Sequence, residues 1–375
     1  MSDKGDTISL DRPVFFTPNR VWRCYTGGAL LERFVGNAAG PDALGTDGHF
    51  PEDWLGSTTI AQNGANQQNP HEGLARVRMP DGSPGPFFRD VLMSDPKGAL
   101  GADSFSEEKG IGVLCKFLDS AIRLPIQCHP DRAFARAHFG SEYGKTESWL
   151  ILGGRPIKGE DPYLLMGFKP GIDPEAFKRA VRSQDIPAME SALHRIPVRP
   201  GDLWFIPGRL PHAIGPGVFL LEVQEPTDWV IQPERFVGDT ELTDYQMWGP
   251  VSPEVALECF DYASAAPIEE ITSRFLLKPR NIWRRPGALY EQIIGLETTP
   301  CFRVDRLTVT ASSSVAFTAD APWRLAIVTH GTGHIETTHA SSTIRQGDNF
   351  FLSDQIKATR YHATGGPLVL YLIAA

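Results

Sequence analysis

Cysteine is scarce in this chain of 375 residues, and the five present (Cys24, Cys115, Cys128, Cys259, Cys301) are odd in number with no CxxC spacing. That excludes a disulfide framework or a Cys-based zinc finger and fits a reducing compartment. Positive charge is in deficit: 36 Lys and Arg stand against 45 Asp and Glu, a net charge of −9. Such a balance argues against a broad surface for nucleic acid or anionic membrane, while leaving room for a local basic pocket. Long apolar runs are missing as well. The longest, Val218–Leu221 and Leu368–Ala375, are of strand length, far below the roughly 18 residues of a membrane-spanning helix. The opening residues Met1–Asp11 are polar and partly acidic, unlike a secretory signal, so a cytoplasmic location is expected.

Turn-forming residues are abundant. The chain holds 36 glycines and 31 prolines spread along its length, which favours short strands over a helical bundle. β-rich runs occur at Val113–Leu118, Arg123–His129, Ser148–Leu152, Ile196–Val198, Leu203–Ile206, Ala213–Ile214 and Val218–Gln224. Helical fragments are expected at Phe87–Asp95, Glu107–Gly110 and Ser252–Ala263. The best helical region is Asp173–His194, with Asp173 as N-cap, Pro174 in the first turn and a break near Pro187.

From about Cys301 the pattern becomes short alternating strands: Phe302–Thr310, Ser314–Thr318, Leu325–Thr329, Gly333–Thr338, Ser342–Arg345, Asn349–Leu352 and Leu368–Ile373. Glycines at 331, 333 and 347 punctuate them, as in a small barrel or sandwich. Gly201-Asp202 before Leu-Trp-Phe-Ile is echoed by Gly347-Asp348 before Asn-Phe-Phe-Leu, consistent with two related β-modules.

The chemistry-bearing segment is Leu124-Pro-Ile-Gln127-Cys-His129-Pro-Asp131. Residues two apart on a strand share a face, so Gln127 and His129 would look into one space, with Cys128 turned away into packing. Lys145 and Glu147 share a face in Gly144-Lys-Thr-Glu-Ser-Trp149, and Gly201-Asp-Leu-Trp-Phe-Ile-Pro-Gly208 leads to His212. An amide oxygen, two imidazoles and a carboxylate suit zinc or another divalent first-row metal.

These stretches, with Lys116-Phe-Leu-Asp, Pro211-His-Ala-Ile-Gly and Glu222-Val-Gln-Glu-Pro-Thr-Asp228, resemble the type I mannose-6-phosphate isomerase family of zinc-dependent cupins. Arg20-Val-Trp-Arg, Gly27-Gly28 and Pro51-Glu-Asp-Trp54 are similar to that family's opening segments. The resemblance implies a mainly β fold of two jelly-roll barrels with helical insertions. It divides the chain into a catalytic cupin domain at 1–250, with a helical insertion near 173–194, a helical and loop connection at 251–300, and a cupin-like domain at 301–375. It also implies Gln127, His129, Glu147 and His212 as ligands of one Zn2+, with Lys145 as a proton shuttle and Lys116 in the substrate pocket. The implied reaction is aldose–ketose isomerisation, most simply mannose 6-phosphate to fructose 6-phosphate.

Two departures bear on the substrate. Pro125 stands where the family has a serine near the phosphate, and Gln232 stands where it has an arginine, with Arg235 three residues on as the substitute. They point to a different or unphosphorylated sugar. The alternative is a catalytically silent cupin that binds a sugar or sugar phosphate as a sensor. Asp131 is expected to order its turn and Glu222 to support the metal site from behind. Trp149 and Trp204 are expected in the core. His330, His334 and His339 belong on exposed hairpins, and the pairs Arg20/Arg23 and Arg284/Arg285 in solvent.

Overall fold

A computed structural model describes residues 8–36, 43–318 and 320–375. The fold is mainly β, and its paired strands run antiparallel. A six-stranded sheet runs in the order Leu203–Ile206, Glu147–Gly154, Val218–Gln224, Leu114–Asp119, Glu52–Leu55, Arg20–Val21. A three-stranded sheet of His212–Ile214, Tyr163–Phe168 and Leu193–Pro197 covers part of one face. A nine-stranded sheet built mostly from the C-terminal chain packs on the other. Within 251–300, two short helical turns and the helix Ile268–Phe275 precede a hairpin, Arg280–Arg285 and Ala288–Ile294, that joins this large sheet. No described helix is long and apolar enough to cross a membrane.

The period of two along each strand sorts side chains between the two cores. Cys115, Phe117, Leu150, Leu221 and Val223 pack towards the nine-stranded sheet against Val304, Leu325 and Ile373. Leu118, Trp149, Ile151 and Leu220 face the smaller sheet with Leu164, Met166 and Ile214. Lys116, Glu147 and Glu222 lie on strand positions of the second set, so the same alternation that builds the core delivers charged groups into the space between sheets.

Most expected strands form close to their predicted limits, and Asp173 does cap Pro174–Ser183. The helical break falls at Gln184–Asp185, just before Pro187, where Asp185 caps Ile186–Ser191. Three expectations are corrected. Arg123–His129 is no strand: only Gln127 and Cys128 bridge, to His212 and Ile231, because Pro125 and Pro130 lack the N–H a ladder needs. Glu107–Gly110 is a turn. Gly331 does not end a strand but sits at a bulge within the continuous Arg324–Glu336. A Cβ there would fall 2.0 Å from the Pro367 carbonyl oxygen, so only glycine fits. Gly201 and Gly347, the two echoed turns, both have left-handed backbones (φ 96° and 91°) before strands of the two modules.

Asp119 ties the N-terminal helix Ala29–Phe34 to the six-stranded sheet. Its Oδ2 accepts backbone N–H bonds from Gly28, Leu30 and Leu31 at 3.0, 2.6 and 3.3 Å. Burial pushes this carboxyl up to about 6 in spite of those donors. A folded-state value raised above the unfolded one stabilises below the unfolded pKa and is lost as pH rises through the folded pKa. Relative to Asp119→Asn, the wild-type chain is expected to lose about 2 kcal/mol between pH 4.5 and 7. Urea midpoints of both proteins at the two pH values check this, and a difference independent of pH contradicts it.

Candidate metal centre

The site is assembled across the gap between the six- and three-stranded sheets. Gln127 and His212 exchange both backbone hydrogen bonds, at 2.8 and 2.9 Å, so their side chains emerge on the same face. His129 follows two residues after Gln127, and Glu147 begins the strand Glu147–Gly154. Ligand atoms of His129, Glu147 and His212 gather within 4.8 Å of one another, and all three residues are buried. Glu147 Oε1 lies 3.2 Å from His129 Nε2, and its Oε2 lies 3.9 Å from His212 Nε2. Lys145 Nζ sits 3.0 Å from the same Oε1 and 3.3 Å from His129 Nε2.

The histidine tautomers follow from their other nitrogens. His129 Nδ1 donates to the Trp229 carbonyl at 2.9 Å, and His212 Nδ1 to the Leu210 carbonyl at 2.8 Å. A carbonyl only accepts, so both Nε2 atoms present lone pairs to the cluster. Burial holds both imidazoles neutral, aided by Lys145 at His129 and by His129 at His212, whose pKa falls to about 3. Burial works against the charge of Glu147, yet the Lys145 ammonium beside it keeps it ionised. His212 Nε2 is buried without any hydrogen-bond partner. Neutral imidazoles, an ionised carboxylate and an orphaned acceptor are what a divalent cation requires, so the residues fit a metal. Gln127 lines the same cleft.

The cleft opens to solvent and encloses a volume of about 120 Å³. Lys116, Gln232, Lys145 and Pro125 line it, as does Glu222. Arg235 does not: its guanidinium bonds the Leu242 carbonyl and pairs with Asp244 at 2.7 Å. Arg235 therefore does not take the place of the family arginine: Gln232 keeps that position, anchored by backbone and side-chain bonds to Met247 and Gln246. Asp131 caps the turn Arg132–Phe134 through the Phe134 N–H. Cys128 is buried 3.7 Å from Cys259 Sγ. Trp204 is core, and Trp149 is core too while resting edge-on against His212, with ring centroids 5.3 Å apart. His330 and His339 are exposed, His334 partly so, and Arg284 and Arg285 are exposed.

Arg20 and Arg23 are not solvated. Arg20 pairs with Glu32, and Arg23 makes a bidentate pair with Asp228 at 3.1 and 3.0 Å while its Nε lies 3.1 Å from Glu52. Glu52 was the residue sequence reasoning passed over. It also meets Lys116 at 3.6 Å, the Tyr25 hydroxyl and the Trp54 indole N–H. Its place in Pro51-Glu-Asp-Trp54, two residues from a buried tryptophan, was the available signal. Burial opposes its charge, but Arg23 and Lys116 hold it ionised with a pKa of about 2. Glu222, 3.5 Å from Lys116, is instead raised to about 8 by burial and by Glu147 nearby.

No protein-family model matches the chain. It is 30% identical over 255 residues to the mannose-6-phosphate isomerase of Streptococcus mutans, covering 66% of this chain and 70% of that protein. The chain belongs to the mannose-6-phosphate isomerase family. Within that family it is also 26% identical over 243 residues to mannose-6-phosphate isomerase ManA of Bacillus subtilis, across 64% of this chain and 68% of the relative. The fold matches the crystal structure of a Bacillus subtilis mannose 6-phosphate isomerase with a TM-score of 0.70 at 20% identity, over 97% of this chain and 99% of that one. A variant of the Salmonella typhimurium phosphomannose isomerase matches with a TM-score of 0.65 at 16% identity, over 96% and 98% of the two chains. The family's cupin fold is therefore present along almost the whole chain.

Chelator-treated protein titrated with Co2+ is expected to develop visible d–d absorption that saturates near one ion per chain. Removing a ligand is expected to weaken binding at least about 100-fold, a cost of about 3 kcal/mol. Glu147→Gln and His212→Ala test this, and unchanged spectra and affinity in both variants contradict the assignment.

Proposed function

We propose that this chain is a metal-dependent aldose–ketose isomerase that moves a proton between C2 and C1 of a sugar. The reaction expected from its family is mannose 6-phosphate to fructose 6-phosphate. The isomerisation itself involves only the carbonyl end of the substrate, and the observation that carries the reading is the buried His129–Glu147–His212 cluster with Lys145 at 3.0 Å from Glu147. Gln127, His129, Glu147 and His212 are the proposed ligands, and zinc is the proposed ion because a mixed N/O donor set suits it. When bound, the ion would supply a Lewis acid that polarises the sugar carbonyl.

Lys145 is assigned to carry the proton. It lies at the edge of the donor set and lines the cleft, within reach of a sugar seated there. Lys116, held between Glu52 and Glu222, is assigned to hydrogen-bond the sugar hydroxyls. Trp149 excludes water behind His212 by filling the space against its ring. A silent sensor would have no use for a lysine placed beside a metal ligand, and this favours the enzyme. All five cysteines are unpaired, which supports the cytoplasmic location.

A coupled assay on zinc-loaded protein, run over phosphorylated and free aldoses, tests the proposal. Lys145→Met is expected to lower kcat by about 10²–10⁴ with metal content unchanged, and Glu147→Ala to lose both metal and turnover. Zinc-loaded wild-type protein that isomerises no aldose contradicts the reading. Elemental analysis of protein as purified separates zinc from iron.

A further inference from the structure

Beyond the reacting carbons, the rest of the substrate must be held by the remainder of the cleft. We propose that the cleft takes an unphosphorylated, electrically neutral aldose, an inference that rests on the isomerase reading above. A sugar phosphate carries about −1.5 to −2 charges near neutral pH and is normally held by uncommitted cations or clustered N–H donors. Among the described residues, the cationic side chains lining the cleft are Arg23, Lys116 and Lys145. Each is already paired. Arg23 donates from both NH groups to Asp228 and from one of them to Asn63, and its Nε lies 3.1 Å from Glu52 without hydrogen-bond geometry. Lys116 sits between Glu52 at 3.6 Å and Glu222 at 3.5 Å. Lys145 lies against Glu147 at 3.0 Å.

Every cation of the lining thus faces at least one of the carboxyl groups Glu52, Glu147, Glu222 and Asp228. A divalent ion at the histidine cluster would add positive charge, but only at the carbonyl end of the substrate. For a phosphate to recruit Arg23 or Lys116, a carboxylate buried beside it would be left without its partner, which is costly in a desolvated site. These ion pairs are inside the protein, with side-chain exposures of 11% for Arg23 and 3% for Lys116, so water does not take over the role of the lost partner.

What the chain offers besides is uncharged. Gln62, and Gln232 with one N–H bonded to the Gln246 carbonyl, bring amides to the cleft, and Trp22, Trp229 and Tyr245 bring rings. Gln62 is exposed and Tyr245 is 53% exposed, so neither is committed to the core. Amides donate and accept together, as sugar hydroxyls do, and ring faces cover the apolar C–H faces of a pyranose. Pro125, also in the lining, offers neither a hydroxyl nor an N–H to an anion.

Two measurements on zinc-loaded protein test the inference: tryptophan fluorescence titrations with mannose and with mannose 6-phosphate, and kcat/KM for the same two sugars. Mannose is expected to be preferred by at least about 10-fold in both. Gln232→Arg, which adds an unpaired guanidinium to the cleft, is expected to move that ratio towards the phosphate by about 10-fold or more. Asp228→Asn, which releases Arg23, is expected to move it in the same direction. Equal use of the two sugars, or a preference of the wild-type protein for mannose 6-phosphate, overturns the inference while leaving the isomerase intact. Absence of turnover on every sugar removes the isomerase reading instead, and the titrations then still decide between the free and the phosphorylated ligand.

Discussion

The structure depends on keeping the Glu147 carboxylate charged at a buried position. It sits at the start of a strand whose neighbours are almost all apolar, and it is 2% exposed. A lone carboxylate there would take up a proton or unfold the sheet around it. Lys145, His129 and His212 surround it instead, and each of those groups is fixed by something else: Lys145 by its backbone N–H on the Pro130 carbonyl, and the histidines by carbonyls at Trp229 and Leu210. The metal centre is thus a solution to a burial problem as well as a reactive group. Its lone pairs are oriented by the bonds of His129 to the Trp229 carbonyl and of His212 to the Leu210 carbonyl.

A second buried network sits beside the first and is organised by a different carboxylate. Glu52 gathers Arg23, Lys116, Tyr25 and Trp54, and Glu222 bridges towards Glu147 through its position opposite Lys116 and Trp149. Such pairs add little net stability against a hydrophobic replacement. What they fix is position. Three cations stand around one cleft without being free to neutralise an incoming anion, and that division of labour ties the electrostatics of the core to the choice of substrate.

Much of this was legible in the sequence because the spacing carries geometry. Gln127-Cys-His129 and Lys145-Thr-Glu147 set candidate groups two residues apart, and the structure brings His129, Lys145 and Glu147 together with Gln127 lining the same cleft, although of these only Glu147 belongs to a strand. Asp173 and Pro174 announced their helix through cap chemistry, and the glycine turns before 203 and 349 marked the start of strands. What could not be read was long-range. Nothing near Arg23 indicates that Asp228 will meet it, since the two are joined only when the first strands dock on the sheet, and so the arginine looked solvated. Arg235 was placed by counting residues, but the loop before it is pinned by Gln232. The run at 123–129 looked like a strand because its residues favour one, while two prolines removed the donors that pairing needs.

The central claim is that this buried donor set moves a proton between adjacent sugar carbons, and the most direct measurement is proton NMR of mannose and mannose 6-phosphate in D2O with zinc-loaded protein. The account predicts deuterium incorporation at the exchanging carbon with wild-type protein, and little or none with Lys145→Met at equal metal content. Zinc-loaded wild-type protein that binds either sugar, exchanges no carbon-bound proton and forms no ketose contradicts it.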